Sequence, residues 1–185
     1  MKIVLAFDSF KGCMSATEAC HAAAETILKA MPDIQVLELP LSDGGEGLVY
    51  CIQRFKKTKS IHIQVHGPLM ESVDATYAIS SDGQTAYMEM ASACGLTLVP
   101  KHKRNPLIAT TYGVVEMVAD AINRGCTTII IGLGGSATCD GGRGMIEALE
   151  VSHCLANDCK IIAVCDVKNP LYGANGAAHV FAPQK

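Results

Sequence analysis

Residues 127–142, Thr-Thr-Ile-Ile-Ile-Gly-Leu-Gly-Gly-Ser-Ala-Thr-Cys-Asp-Gly-Gly, carry the pattern that decides the fold class of this chain of 185 residues. The first five residues are all β-branched and end in three isoleucines, which predicts a short buried strand. The glycines predict a loop, and a helix is predicted to follow it up to Leu149. A strand that enters a glycine loop and then a helix is typical of an α/β fold, in which ligands bind at the carboxyl ends of the strands.

Two further apolar runs predict buried strands that end at a carboxylate. The first covers residues 2–7 and leads into Asp8, and the second covers residues 160–165 and leads into Asp166. Because strand ends of this kind meet at one edge of a sheet, these side chains are candidates for a common site.

The region after the first strand predicts a β-α-β unit. Ser15 and Glu18 have the spacing of a capping box, which predicts a helix over residues 17–30. Residues 34–39 alternate between apolar and polar side chains and predict the second strand. This order favours a parallel pair of strands with a right-handed crossover.

The pattern changes after a glycine turn at residues 41–47 and a predicted helix that ends near Phe55. Three predicted strands follow without helices between them: residues 61–66, 73–79 and 85–90. The last two are joined by Ser-Ser-Asp-Gly at 80–83, which predicts a hairpin. Such strands suggest a separate antiparallel or mixed unit. Thr111 is then predicted to cap a helix over residues 112–123.

These patterns together predict an α/β fold, with a parallel or mixed sheet flanked by helices and a second, smaller α/β domain inserted. The expected first domain is discontinuous and comprises residues 1–65 and 160–185. The expected inserted domain comprises residues 66–159 and carries the glycine-rich loop.

The composition excludes several classes of protein. Hydrophobic residues make up 49% of the chain and charged residues 18%, which excludes an intrinsically disordered chain. The net charge of −3 and the lack of a basic stripe disfavour a nucleic-acid partner. The apolar run before Asp8 is too short for a signal-peptide core or a membrane span. We therefore expect a cytoplasmic protein without a membrane partner, in which the nine cysteines are reduced thiols.

The glycine-rich segment after residue 131 is suited to binding phosphate. A glycine loop that enters a helix exposes backbone N–H groups, and the helix N-terminus adds partial positive charge. The alternative is that these glycines only form tight turns; the cluster favours the phosphate role. The segment is neither a Walker loop nor a complete Rossmann fingerprint. Its candidate residues are Gly134, Gly135, Ser136, Thr138, Asp140, Gly141 and Gly142.

Other charged residues near the strand ends have more than one interpretation. Lys11 could neutralise a phosphate or carboxylate, or it could be a solvated surface lysine. Asp43 and Glu46 flank Gly44 and Gly45 and could bind magnesium, accept a hydroxyl proton or cap the following helix. Glu89 follows an alternating strand and could face solvent or a site.

In their order along the chain, nine motifs resemble those of bacterial glycerate kinases, and the resemblance covers nearly the whole sequence. The motifs lie at residues 8–12, 42–47, 67–69, 89–96, 105–106, 110–113, 134–142, 165–171 and 183–185. The resemblance implies ATP-dependent phosphorylation of D-glycerate in a two-domain α/β fold. Three departures stand out: the family is considerably longer, it has a longer segment between Leu149 and Cys159, and many members have Asn where this chain has Cys139.

The candidate site that follows combines the resemblance with the positions at strand ends. The catalytic candidates are Asp166, Asp43 and Lys11. Asp43 and Asp166 are also the candidate ligands of Mg²⁺, and the residues do not decide which of them is the base. The candidate substrate- or nucleotide-binding residues are Asp8, Ser9, Gly44, Gly45, Glu46, Gly134, Gly135, Ser136, Thr138, Asp140, Gly141 and Asn169.

Two other functions stay open: a non-catalytic phosphate- or nucleotide-binding module, and a magnesium-dependent phosphatase. The sequence also leaves open whether the 2- or the 3-hydroxyl is phosphorylated, and whether the protein is a homo-oligomer. One structural expectation is common to all these functions. We expect six residues to converge on one cleft: Asp8, Lys11, Asp43, Ser136, Asp140 and Asp166.

Overall fold

The structure is a computed structural model that describes residues 1–10, 13–152 and 159–185. The described strands are β1 (Lys2–Leu5), β2 (Gln35–Glu38), β3 (Thr58–His66), β4 (Ser72–Ser80), β5 (Thr85–Glu89), β6 (Thr128–Gly132) and β7 (Lys160–Val164). The described α-helices are α1 (Ala16–Ala30), α2 (Leu48–Phe55), α3 (Ala91–Cys94), α4 (Tyr112–Asn123), α5 (Arg143–Ser152) and α6 (Ala177–Phe181). Short 3₁₀ helices cover Leu96–Leu98, Lys101–Lys103 and Ala182–Gln184.

The smaller sheet consists of β1 and β2, which are parallel as predicted. The capping box at the start of α1 is also confirmed: the Glu18 N–H donates to Ser15 Oγ, and the Ser15 N–H donates to Glu18 Oε2. Helix α1 packs on β1 through the buried residues Cys20, Ala24 and Leu5. This unit places Asp8 and the segment after β2 at one end of the sheet.

The larger sheet has the strand order β3-β4-β5-β6-β7. Strands β3, β4 and β5 are antiparallel neighbours, whereas β5, β6 and β7 are parallel, so the predicted mixed sheet is confirmed. The β4–β5 hairpin lies where the Asp-Gly signal predicts it, with Gly83 N–H donating to the Ser80 carbonyl. The core between this sheet and α4 contains fully buried side chains such as Tyr77, Met117 and Ile129.

Two of the three strands predicted to be buried are only partly buried. In β1 Val4 is 51% exposed, and in β7 Ile161 is 46% exposed, whereas Ile129 of β6 is fully buried. The reason is the position of each strand in its sheet. Within the described residues, β1 pairs only with β2 and β7 pairs only with β6, while β6 lies between β5 and β7. An apolar run indicates a strand, but its burial depends on neighbours elsewhere in the chain.

Strand β7 also lies in a different sheet from β1. The predicted first domain combines residues 160–185 with residues 1–65, whereas β7 pairs with β6 along its whole length. It therefore extends the larger sheet. The predicted limits of the two domains stay a prediction.

The predicted cap of α4 is wrong. Thr111 precedes the helix, but its side chain makes no capping hydrogen bond to it. The Thr111 hydroxyl instead donates to Asp140 and accepts from the N–H of Met145 in α5. In the part of the chain that the structure describes, no helix is long and apolar enough to cross a bilayer.

Candidate functional site

Two glycine-rich loops meet backbone to backbone at the carboxyl ends of the strands. We call residues 42–47 the first glycine loop and residues 133–142 the second glycine loop. The Gly134 N–H donates to the Gly44 carbonyl across 3.2 Å, and the Leu133 N–H donates to the Val164 carbonyl at the end of β7 across 3.1 Å. These bonds hold the segments after β2, β6 and β7 in one place.

Glycine is required on both sides of this contact. A Cβ atom on Gly134 would lie 2.6 Å from the Cα of Gly45, and one on Gly44 would lie 2.9 Å from the Val164 carbonyl oxygen. Gly44 also has a φ of +93°, which residues with side chains rarely adopt. The glycines that suggested phosphate binding therefore have a second role, which is to let the two loops touch.

A cleft of about 320 Å³ opens beside this contact. Five of the residues predicted from the sequence line it: Asp43, Gly134, Gly135, Ser136 and Asp166. Asp43 and Asp166 thus share one cleft although they follow strands of different sheets. The cleft is also lined by Lys185, which the sequence analysis did not select.

Asp8 supports the first glycine loop through a hydrogen bond to its backbone. Its Oδ2 accepts from the Asp43 N–H across 3.2 Å, and its Oδ1 accepts from the Ser9 N–H across 2.6 Å. Asp43 in turn accepts from the Gly45 N–H across 2.8 Å through Oδ1. Asp8 is therefore next to the cleft and orients Asp43, but it is not among the residues that line the cavity.

Ser9 and Glu46 lie on a second cavity, of about 570 Å³, which includes Phe10 and Tyr50 in its wall. Glu46 Oε1 accepts from the Thr97 hydroxyl across 3.2 Å. Neither candidate is among the residues that line the cleft, but Glu46 lies next to it, since a Cβ on Gly135 would be 3.8 Å from the Cγ of Glu46. Lys11 and Gly12 lie outside the described residues, so the role of Lys11 stays a prediction.

Asp140 is engaged in a structural network rather than in the cleft. Its carboxylate accepts from Thr111 N–H at 2.9 Å, Thr111 Oγ1 at 2.8 Å, Gly142 N–H at 3.2 Å and Gly144 N–H at 3.1 Å. A carboxylate has about four lone-pair positions, so this network uses its capacity. Asp140 fixes the end of the second glycine loop against α4; it is not among the residues that line the cleft, and its part in binding stays a prediction.

The remaining binding candidates, Asn169, Thr138 and Gly141, lie in loops outside the wall of the cleft. Asn169 Nδ2 donates to the Asn175 carbonyl across 3.0 Å and so closes the turn before α6. Thr138 is buried, and its carbonyl accepts a hydrogen bond from Lys185. Gly141 has a φ of +62° beside Asp140. Of the residues described, none of these three is in the wall of the cleft.

Lys185 is the functional candidate that sequence reasoning missed. It follows the 3₁₀ helix Ala182–Gln184, and its Nζ donates to Ser136 Oγ across 3.0 Å and to the Thr138 carbonyl across 2.7 Å. A signal was present, because Pro-Gln-Lys at 183–185 is one of the motifs on which the family resemblance rests. A lone lysine far from the other motifs gave no reason to place it beside Ser136.

Glu89 holds the start of the helix that follows the first glycine loop. It lies at the end of β5, and its Oε1 accepts from the Val49 N–H in the first turn of α2 across 2.8 Å. Burial raises the pKa of Glu89, although the backbone N–H groups at the start of α2 partly offset this effect. Glu89 is therefore a partly buried residue that contacts the start of α2, and it does not project freely into solvent.

The donor set of the cleft suits magnesium. Mg²⁺ prefers oxygen ligands and is usually held by one or two carboxylates together with substrate phosphates. Asp43 and Asp166 supply two carboxylates in one cleft. Within the described ranges, no group of three or more His, Cys, Asp or Glu side chains is arranged as a metal site. The residues therefore fit a metal shared with a phosphate group better than an all-protein metal cage.

Comparison with known proteins gives consistent matches. A model of the glycerate kinase family matches residues 3–157 and 152–185. The glycerate 2-kinase of Escherichia coli (strain K12) is 43% identical over 212 positions, which cover 100% of this chain and 56% of that protein. The glycerate kinase of Bacillus subtilis (strain 168) is 42% identical, with the same coverage.

A solved structure agrees with these sequence matches. A crystal structure of a protein assigned as glycerate kinase 2 from Salmonella typhimurium LT2 has a TM-score of 0.75 and 40% identity, and covers 100% of this chain and 56% of that one. The chain spans about half the length of the relatives it matches. The two segments matched by the family model meet at residues 152–157, within the interval where the family was expected to have a longer segment.

Proposed function

Because this chain belongs to the glycerate kinase family, we propose that it serves the transfer of the γ-phosphate of ATP to a hydroxyl group of D-glycerate, with Mg²⁺ as cofactor. One observation carries the proposal. The backbone contact between the glycine loops brings Asp43, Asp166 and Ser136 into one cleft at the strand ends. Phosphoryl transfer depends on positioning and charge neutralisation more than on covalent chemistry, and this cleft offers groups for both.

The second glycine loop is the proposed phosphate site. The backbone N–H groups of Gly135 and Ser136 make no hydrogen bond to any residue in the described ranges, while their neighbours Gly134 and Ala137 are bonded. Both residues line the cleft. Unpaired N–H groups in a glycine loop are suitable donors to phosphate oxygens.

The two aspartates suit different tasks. Asp43 is oriented by Asp8 and by its own contact with the Gly45 N–H, which makes it the better candidate to hold Mg²⁺. When bound, the metal would neutralise charge on the phosphates. Asp166 is exposed at the end of β7 and is the candidate base. It would accept the hydroxyl proton as that oxygen bonds to the γ-phosphorus, while the bond to the β,γ-bridging oxygen breaks and ADP leaves.

The site of phosphorylation is proposed from the relatives. The Escherichia coli relative is named a glycerate 2-kinase, so we propose the 2-hydroxyl as the acceptor. We also propose that the protein acts in the cytoplasm on small molecules, without a nucleic-acid or membrane partner; the net charge of −3 supports the first of these exclusions. A homo-oligomer stays an open proposal, which light scattering in solution tests.

A coupled assay tests the main proposal. ADP release is measured from this chain with ATP, Mg²⁺ and D-glycerate, and enolase is added to detect 2-phosphoglycerate, which it converts directly. Glycerate-dependent ADP release supports the kinase. Phosphate release without glycerate supports a phosphatase, and ATP binding without either product supports a non-catalytic binding module. An Asp166→Asn variant with an unchanged rate contradicts the proposed base.

A further inference from the structure

Lys185 combines two contacts that an ordinary surface lysine lacks. It is partly buried, and its ammonium reaches back to Ser136 Oγ at 3.0 Å and to the Thr138 carbonyl at 2.7 Å. Both partners belong to the second glycine loop. Lys185 is therefore fixed on the wall of the cleft, on the loop whose N–H groups are the proposed phosphate donors.

Neither hydrogen-bond partner of the Lys185 ammonium is an acid, although Asp43 and Asp166 line the same cleft. Both of its hydrogen-bond partners are neutral, and within residues 1–10, 13–152 and 159–185 it forms no ion pair. An ammonium group has three N–H donors, and the two observed bonds use two of them. One donor and the full positive charge are thus left for a ligand in the cleft.

The hydrogen bond from Lys185 leaves the hydroxyl hydrogen of Ser136 available as a donor. Its hydroxyl oxygen accepts from Lys185, so its own hydrogen is available to another acceptor. Together with the N–H groups of Gly135 and Ser136, this places donors and one positive charge on a single wall of the cleft. Such a set recognises an oxyanion, and a phosphoryl group accepts several donors at once.

A purely mechanical role is the alternative. The two hydrogen bonds could serve only to dock the 3₁₀ helix on the loop. Neutral acceptors need only a neutral donor, however, and a partly buried cation costs more than a neutral donor unless an anion compensates it. Docking to two neutral acceptors does not need a positive charge, and this is what favours ligand binding over docking alone.

We propose that Lys185 is the anion-binding cation of the cleft, holding a phosphoryl group of the nucleotide against the second glycine loop. This inference rests on the proposed function, because that function supplies the phosphorylated ligand. It gives to Lys185 the charge neutralisation that the sequence analysis considered for Lys11. The carboxylate of glycerate is the other anion available, and separate titrations distinguish the two.

Calorimetric titration of this chain with ATP in the presence of Mg²⁺, and separately with D-glycerate, tests the inference. Lys185→Met should weaken ATP binding by roughly 10-fold or more, the scale of a lost charge-assisted hydrogen bond. The affinity for D-glycerate should stay within about twofold of the original value. Lys101→Met is the matched control, since Lys101 is an exposed lysine in another 3₁₀ helix and its loss should not change ATP binding.

Lys185→Gln separates charge from docking. Its amide can still donate to Ser136 or Thr138 but carries no charge, so we expect a melting temperature near the original and weakened ATP binding. This variant also decides the question if Lys185→Met fails to fold. Equal ATP affinity in Lys185→Gln and the unaltered chain would overturn the inference, as would an equal loss in Lys101→Met, weakening of D-glycerate binding instead, or no ATP binding by the unaltered chain.

These outcomes are distinct from failure of the proposed function. A chain that binds ATP through Lys185 but releases no ADP contradicts the kinase and leaves the inference intact. A chain that phosphorylates D-glycerate equally well after Lys185→Gln contradicts the inference and leaves the kinase intact.

Discussion

The backbone N–H of Gly134 donates to the carbonyl oxygen of Gly44 across 3.2 Å, and this hydrogen bond joins the two glycine loops. The loops follow strands of different sheets, β2 and β6. The contact therefore sets the position of Asp43, which follows a strand of the smaller sheet, relative to Ser136 and Asp166, which follow strands of the larger sheet. The geometry of the cleft depends on the absence of side chains at this point.

Gly134→Ala should disrupt the contact between the loops. The new Cβ would lie 2.6 Å from the Cα of Gly45, so the backbone must shift. We expect a loss of about 2–3 kcal/mol in the free energy of unfolding, together with weaker ATP binding. Urea denaturation measures the first quantity and calorimetry the second.

Gly125→Ala is the control for this change. Gly125 has a φ of +96°, and apart from its neighbours along the chain no described residue comes within 4 Å of a Cβ placed there. This substitution should cost about 1 kcal/mol through backbone strain alone and leave ATP binding unchanged. If both variants lost the same stability and neither lost binding, the loop contact would not be what shapes the cleft.

Asp140→Asn should destabilise the fold more than a typical surface substitution. The carboxylate accepts three hydrogen bonds through Oδ2, from Thr111 and the Gly144 N–H, and one through Oδ1, from the Gly142 N–H. An Asn side chain has only one acceptor oxygen, so its NH₂ group would face at least one N–H donor and lose that bond. We expect a loss of about 3 kcal/mol in the free energy of unfolding. Asp33→Asn is the matched control, because Asp33 is exposed, and it should change stability by less than about 0.5 kcal/mol. Equal stability of the two variants contradicts the structural role of Asp140.

Glu89→Gln should change the pH dependence of stability. The pKa of Glu89 in the fold is raised above its ordinary value of 4.5, chiefly by burial. The native state therefore binds more protons than the unfolded state between these two pKa values, and this carboxyl lowers stability as the pH rises through that window. Glutamine keeps an acceptor for the Val49 N–H and has no such charge.

The stability of Glu89→Gln relative to the unaltered protein should therefore increase as the pH rises from below 4.5 to neutral. Thermal unfolding across this pH range measures it. Glu150→Gln is the control and should not show the trend, because it changes an exposed glutamate of α5 that forms no ion pair among the described residues. A relative stability of Glu89→Gln that falls with rising pH contradicts the prediction.

Ile129 and Ile161 are paired in neighbouring strands but should respond differently to the same substitution. Ile129 is fully buried in β6, whereas Ile161 is 46% exposed in β7. Ile129→Val should cost about 1 kcal/mol in the free energy of unfolding. Ile161→Val should cost less than about 0.5 kcal/mol. Comparable losses, measured by urea denaturation, would show that β7 is as buried in solution as its apolar sequence predicts.

The amino-acid sequence alone was sufficient for the features that depend on neighbouring residues. The capping box at Ser15 and Glu18, the hairpin at Asp82-Gly83 and the strand before the second glycine loop are all where the sequence predicts them. Each is decided within a few residues, by a hydrogen bond or a backbone conformation that the local side chains favour. The α/β class follows from the order of these elements.

The tertiary structure decided which residues meet. Thr111 binds Asp140 instead of capping its own helix, Lys185 reaches Ser136, and Ile161 is exposed although its sequence resembles that of a buried strand. None of these facts follows from local propensity, because burial and long-range hydrogen bonds depend on partners that the chain brings together only when the two sheets pack. Five of the residues that line the cleft were therefore predictable as candidates from their loops, while the place of Lys185 and the division into lining and supporting residues required the fold.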